Sequence, residues 1–284
     1  VNARTPTLRA ALLGALAAMA AALPGAAAAA EQDEIIVQST TSTANSGFFD
    51  QVLPQFEART GIKVKVVAVG TGQALRNAAN CDGDVVLVHA PRAEADFVAK
   101  GLGVRRHPLM SNDFVIVGPA ADPAGIAGMR DAAAAMARIA AAGAPFASRG
   151  DDSGTHKAER RLWRAAGLDP DPATDRWLRE LGAGMGATLN AAAGMGAYAL
   201  TDRATWLAFA NKADLRIMVE GDPRLLNHYG VILVNPARCP NVNAKAGQAF
   251  IDWLLSAEGR AAIAGARVHG AQLFRPAEPQ EKTR

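Results

Sequence analysis

Apolar residues fall in short blocks along this chain, and many of the blocks end in clusters of Ser, Thr or Gly. Ile35-Ile36-Val37 gives way to the hydroxyl run Ser39-Thr40-Thr41-Ser42-Thr43. Asn45 or Ser46 then caps a helix whose apolar positions Phe49, Val52, Leu53 and Phe56 recur at i, i+3, i+4 and i+7, until Gly61 stops it. Lys63 to Val69 reads as a β-branched strand, followed by Gly70-Thr71-Gly72 and a helix from about Gln73. Asp84 to Val88 is a third strand, Ala93 to Ala99 another helix, and Phe114 to Val117 a strand ended by Gly118-Pro119. This βαβα order predicts a parallel sheet with helices on both faces.

A second region opens with an Ala-rich helix near Met129 to Ala142. Phe146-Ala147-Ser148 leads into the loop Arg149 to Thr155, and a helix runs on through Trp163 to about Ala166. The Gly-rich stretch Gly182 to Gly186 precedes a helix near Ala187 to Ala193. Strands follow at Arg216 to Val219 and Val231 to Val234, then helices near Ala246 to Leu255 and Ala257 to Ala264. The expected architecture is α/β, with two doubly wound lobes joined by a two-strand hinge. Residues 31–117 with 231–274 form the first lobe, 118–230 the second, and 275–284 a C-terminal tail. No internal repeat or heptad pattern interrupts this plan.

The first thirty residues belong to neither lobe. Arg4 and Arg9 precede an uncharged run from Ala10 to Leu23, Pro24-Gly25 breaks it, and Ala26 to Ala30 offers small-x-small cleavage sites. A basic start, an apolar middle and an Ala-x-Ala exit predict a cleaved secretory signal over residues 1–30 and a periplasmic mature protein. A membrane anchor needs about 20 apolar residues and lacks that exit. Removing Arg4 and Arg9 from the 30 basic residues leaves 28 against 27 acidic ones. No basic stripe remains to bind nucleic acid. In an oxidising compartment Cys81 and Cys239, the only cysteines, can form a disulfide; two buried thiols are the alternative. The apolar share of 50% excludes a disordered chain among the 284 residues.

Candidate chemistry lies in the strand–loop–helix junctions. In an open α/β sheet such loops gather at the carboxyl ends of strands, and each presents hydroxyls and backbone N–H groups beside a positive helix start. The pattern occurs at Ser39–Ser42, Gly70–Gly72, Ser148–Thr155 and Gly184–Thr188. Any one of these hydroxyls could serve only as a helix cap, worth about 1 kcal/mol. Four such loops together point to a small oxyanion. Arg149 supplies a planar fork for two of its oxygens. Asp151 and Asp152 have several open roles: pairing Arg149, capping the helix, or accepting a proton from a partly protonated anion.

The chain resembles the periplasmic tungstate-binding proteins of ABC importers. The resemblance rests on Ser39 to Thr43 with Asn45-Ser46-Gly47, Val69 to Leu75, Asp84 to His89, Asn112 to Pro119 and Asp122 to Ile126. It continues through Ser148 to Lys157, Gly184 to Leu189 and Leu200 to Arg203, in order from about Ile35 to Trp253. Ser39 departs from a first loop that in the family begins with Thr. The resemblance implies a type II periplasmic-binding fold that closes on tungstate, and on molybdate as well. It places Ser39, Thr40, Thr41, Ser42, Thr71, Ser148, Arg149, Ser153 and Thr188 in the ligand shell. A monomer that delivers its ligand to a membrane permease is expected, with no cofactor and no catalytic residue. Phosphate is the alternative ligand, since Arg149 to Thr155 also fits the Arg-x-Asp-x-Ser-Gly-Thr element of phosphate binders.

An exported enzyme acting on an anionic substrate is the weaker alternative from another class. Val69-Gly70-Thr71-Gly72 follows a strand, but Leu75 stands where a dinucleotide fingerprint wants Gly or Ala. There is no Gly-x-Ser-x-Gly elbow, P-loop or His-Glu-x-x-His. His89, His107, His156, His228 and His269 lack metal-ligand spacing, and Trp163, Trp177, Trp206 and Trp253 sit on or beside helical patterns as core residues.

Overall fold

The computed structural model describes Val1 and residues 33–278, so the expected leader and the end of the tail lie outside the described residues. In chain order the elements are β1 (Glu34–Thr40), α1 (Thr41–Asn45), α2 (Phe48–Thr60), β2 (Lys63–Val69), α3 (Thr71–Ala79), β3 (Val85–Val88), α4 (Pro91–Ala99) and β4 (Gly103–Pro119). Next come α5 (Ala132–Ala142), β5 (Phe146–Ser148), α6 (Gly154–Ala165), β6 (Leu178–Glu180), α7 (Met185–Met195), β7 (Ala199–Asp202), α8 (Arg203–Ala208) and β8 (Leu215–Val219). The chain then returns through β9 (Leu226–Val234) to α9 (Ala244–Leu255) and α10 (Ala257–Gly265).

The sheet is mixed where the element order predicts parallel pairing throughout. β1 is parallel to β2 and β3, but β9 runs antiparallel to β3 and β4, with Leu87 and His107 both opposite Val231. The reason is the path of the chain. It leaves the first group of strands along β4 and comes back along β9, so the two crossings run in opposite directions. β4 is 17 residues long, and its far half pairs antiparallel with β7 and β8. β5 and β6 form a small parallel pair of their own.

Burial follows that long strand. Residues from β1, β3, β9, α2 and α9, among them Ile35, Val86, Val231, Phe56 and Phe250, form one apolar core. Further along β4 the side chains alternate between two others. Phe114 and Ile116 join Met136, Trp163 and Tyr198, while Val115 and Val117 join Leu189 and Trp206. A strand covered on both faces reads as an unbroken apolar run, which is why Phe114 to Val117 shows no polar alternation. Gly118 ends the run because a Cβ there would come within 2.2 Å of the Tyr198 ring.

Local chemistry sets the element ends. Thr40 caps the five-residue helix α1, which the sequence pattern did not separate from α2, and Gly47 at φ 75° turns the chain between them. The predicted cap at Asn45 or Ser46 therefore moves to Gly47. Asp131 accepts from Ala134 N at 2.9 Å, so α5 begins at Ala132 and not at Met129, and Gly143 ends it in the left-handed region. Trp163, Trp206 and Trp253 are buried, and Trp177 packs on Trp163 with ring centroids 5.3 Å apart. Among the described residues no helix is long and apolar enough to cross a membrane.

Cys81 and Cys239 are joined as a disulfide, closing a span of 158 residues between the end of α3 and the segment before α9. Linking positions so far apart removes many conformations from the unfolded chain. Replacing both cysteines with Ala should lower unfolding free energy by about 2–4 kcal/mol. Chemical denaturation of the variant, alongside the reduced and oxidised wild-type protein, measures this directly.

Candidate anion-binding site

Three of the four loops sit at the starts of α3, α6 and α7, and the fourth carries the chain from β1 into α1. Backbone and side-chain bonds tie them to one another. Gly154 N donates to Thr71 Oγ1 at 3.0 Å, and Gly72 N to the Asp152 carbonyl at 3.3 Å, joining the second loop to the third. Ala183 N donates to the Arg149 carbonyl at 3.2 Å, and Arg149 Nε returns a bond to Ala183 O at 2.7 Å, joining the third to the fourth. The first loop meets the third where Arg149 Nη2 donates to Thr41 Oγ1 at 3.2 Å. It also meets the fourth, since a Cβ on Gly184 would lie 3.4 Å from the Thr41 hydroxyl.

Arg149 is the common point. It is 1% exposed, and a guanidinium so far from water needs its charge answered. Asp151 answers it: one carboxylate oxygen pairs with Arg149 Nη2, and the other accepts from Ser153 N at 3.2 Å. Of the roles open to Asp151 in the sequence, holding Arg149 is the one it fills, and the helix cap falls to Ser153. Asp152 faces outward, where Lys157 pairs with it and Arg76 lies 3.6 Å away. Its φ of 57° is the left-handed turn that lets the chain enter α6.

The structure sorts the remaining predicted residues. Ser39 is buried and donates to the Leu87 carbonyl at 2.6 Å, a bond between β1 and β3. Thr40 caps α1 and lies 2.7 Å from the Thr43 hydroxyl. Ser153 caps α6 by accepting from His156 N at 3.1 Å. Thr188 is buried and donates back to the Gly184 carbonyl at 3.1 Å. Two hydroxyls stand apart: Ser148 and Thr155 are buried, and neither completes a hydrogen bond. A buried hydroxyl without a partner costs about 1–3 kcal/mol, so both keep hydrogen-bonding capacity that the fold leaves unused.

His89 joins the site although its spacing gave no sign of it. Its ring stacks on Tyr229 at 4.7 Å, and its Nε2 lies 3.1 Å from Ser42 Oγ. A row of amides fixes its tautomer. Asn112 Nδ2 donates to Asp202 at 3.4 Å, Asn227 Nδ2 to Asn112 Oδ1 at 2.8 Å, and Asn227 Oδ1 faces His89 Nδ1 at 3.0 Å. The proton therefore sits on Nδ1, and Nε2 accepts from Ser42. Burial foremost, with the charge of Arg149 added, pushes the ring pKa down to about 4 against the support of Asn227, so His89 is neutral near pH 7. It also borders a cavity of about 610 Å³ lined by Arg92, Lys157, Arg160, Arg161 and Arg164. Asp96 and Asp152 line it as well, so the lining carries an excess of positive charge. Among the described residues no group of three His, Cys, Asp or Glu is placed to hold a metal ion.

Comparison with known proteins gives the family. The PBP superfamily domain matches residues 25–258. An ABC transporter anion-binding protein of Haloferax volcanii is 49% identical over 86% of this chain and 72% of its own length. The tungstate-binding protein TupA of Peptoclostridium acidaminophilum is 45% identical over 85% of each chain. The solved structure of TupA from Desulfovibrio alaskensis G20 superposes with a TM-score of 0.72 at 46% identity, covering 86% of this chain and 99% of that one. By fold and by loops this is a solute-binding protein of the α/β, two-crossing kind. The chain belongs to the PBP superfamily and, within it, to the family of the TupA tungstate-binding proteins.

Gly154 is a close junction in the site, because a Cβ there would lie 2.6 Å from the His89 ring. Gly154→Ala should displace that ring and cost about 1–3 kcal/mol of stability, as overpacking does. Thermal unfolding of the variant against the wild type checks it.

Proposed function

We propose that this protein captures tungstate outside the cytoplasm and hands it to the membrane permease of an ABC importer. The observation that carries the reading is Arg149, buried where four donor-bearing loops meet. The names of its TupA relatives supply the ligand. Arg149, Thr41 and Ser148 offer side-chain donors to the anion, and first-turn amides of α3, α6 and α7 that are not spent between the loops, those of Thr71, Thr155, Met185 and Gly186, complete the shell. Thr40, Ser42, Thr71 and Ser153 shape those loops, while Ser39 and Thr188 hold the framework beneath them. Molybdate, close to tungstate in size and charge, fits the same donors.

The halves on either side of the β4 and β9 crossings close on the ligand and open to release it, and the closed form is the one the permease recognises. The protein works as a monomer, binds without chemical turnover, and reaches its compartment through the leader in residues 1–30. Phosphate is less well supplied. A protonated anion needs an acceptor aimed at it, and the two Asp151 oxygens are turned to the Arg149 guanidinium and the Ser153 amide.

Arg149→Ala should weaken tungstate binding by at least about 2 kcal/mol, roughly thirtyfold, the scale for losing a charged partner in a buried site. Titration calorimetry with tungstate, in competition with molybdate, sulfate and phosphate, measures both that loss and the order of preference. Near wild-type affinity in the variant would remove Arg149 from the ligand shell.

A further inference from the structure

Behind the third loop lies a carboxyl for which the oxyanion reading has no use. Glu159, on the second turn of α6, is 1% exposed, and its Oε1 accepts from Trp163 Nε1 at 3.2 Å. The Ser148 hydroxyl and the Arg149 amide also support its charged form. Ser148 is fully buried, and its approach to this carboxyl stops short of a completed hydrogen bond. A hydroxyl has a single proton to give, so the Ser148 proton goes either to Glu159 or to a ligand.

Among the described residues no cation pairs with Glu159. Glu180 on β6 repels its charge, and the Arg149 guanidinium is directed to Thr41, Ala183 and Asp151. Arg138, the only charged residue of α5, is engaged with the Gly125 carbonyl, and β7 ends in the buried acid Asp202. On α6 itself His156 lies 3.7 Å from Glu180, and Arg160 pairs with Asp169. Burial first, with Glu180 adding to it, pushes Glu159 up to about 7 despite the help of Ser148 and Trp163. Both protonation states are therefore within reach near neutral pH.

We propose that Glu159 is a positioning residue that sets the direction of the Ser148 proton and thereby couples oxyanion capture to the uptake of one proton. As a neutral acid it donates to the Ser148 oxygen, and the Ser148 proton turns to the anion. As a carboxylate it accepts the hydrogen bond from the Ser148 hydroxyl, turning that donor away from the anion, and stands as a negative charge behind the ligand. An arriving dianion favours the acid, so binding draws one proton from solvent onto Glu159. The proposal rests on the tungstate reading. Its sign follows from linkage: affinity is greatest below about pH 7 and falls above it, by up to about tenfold per pH unit.

Calorimetry with sodium tungstate between about pH 6 and about pH 9, in two buffers of different ionisation enthalpy, reads slope and proton uptake together. The wild type should show both. Glu159→Gln, whose amide offers Ser148 a donor at every pH, should bind with neither. Equal slopes in the two proteins, or wild-type binding with no uptake and flat affinity, would overturn the proposal alone. Failure of the wild type to bind tungstate at any pH would remove the tungstate reading and the proposal with it. Carboxyl-carbon NMR of Glu159 in the wild type adds a check independent of how the variant folds. Its titration midpoint should rise when tungstate is added, and an unchanged midpoint counts against the coupling.

Discussion

A buried guanidinium constrains this molecule more than any other single group. Arg149 cannot leave its charge unanswered in a place almost closed to water. The fold surrounds it with a carbonyl from the fourth loop, a hydroxyl from the first and a carboxylate from its own. Each partner arrives from a different segment, so holding Arg149 also holds the loops at fixed distances. Asp151 leaves the cation balanced. On the proposed function, a dianion added to that balanced pair is met by neutral donors at the helix starts.

Small residues make this convergence feasible. Gly154 lies flat against His89, and Gly184 sits beside Thr41. The second loop reaches the third through main-chain N–H groups at Gly72 and Gly154. Main-chain donors are fixed by the helices that follow them, so these junctions form without a donor side chain having to lose its freedom. The hydroxyls of the first loop are held by partners of their own, with Ser42 on His89 and Thr40 on Thr43. The site is prepared mainly by neighbours of the ligand-facing atoms, a division of labour also seen around metal centres.

The two crossings at β4 and β9 tie this site to the rest of the sheet. Asn112 and Asn227, opposite each other across those strands, carry the hydrogen bonds that orient His89. A change in the angle between the strands would thus be felt at Ser42. Glu159 plays a comparable part from the other side, behind Ser148 and Arg149.

Local pattern alone determined the alternation of elements and singled out the hydroxyl- and Gly-bearing loops and Arg149, which folding brings into contact. These depend on neighbours in sequence: apolar spacing, Gly stops and hydroxyl caps. The mixed sheet was not legible, because the direction of β9 depends on where the chain has travelled between residues 119 and 226. The sorting of hydroxyls was not legible either. Ser39 and Thr41 look equivalent in the run 39–43, yet one bonds to β3 and the other meets Arg149, some 108 residues away. His89 and Glu159 read as ordinary single residues until folding buried them beside Ser42 and Ser148. Sequence carries the local rules of capping and periodicity; only the packed chain decides which distant groups share a proton or a charge, because those energies depend on separation and burial in space.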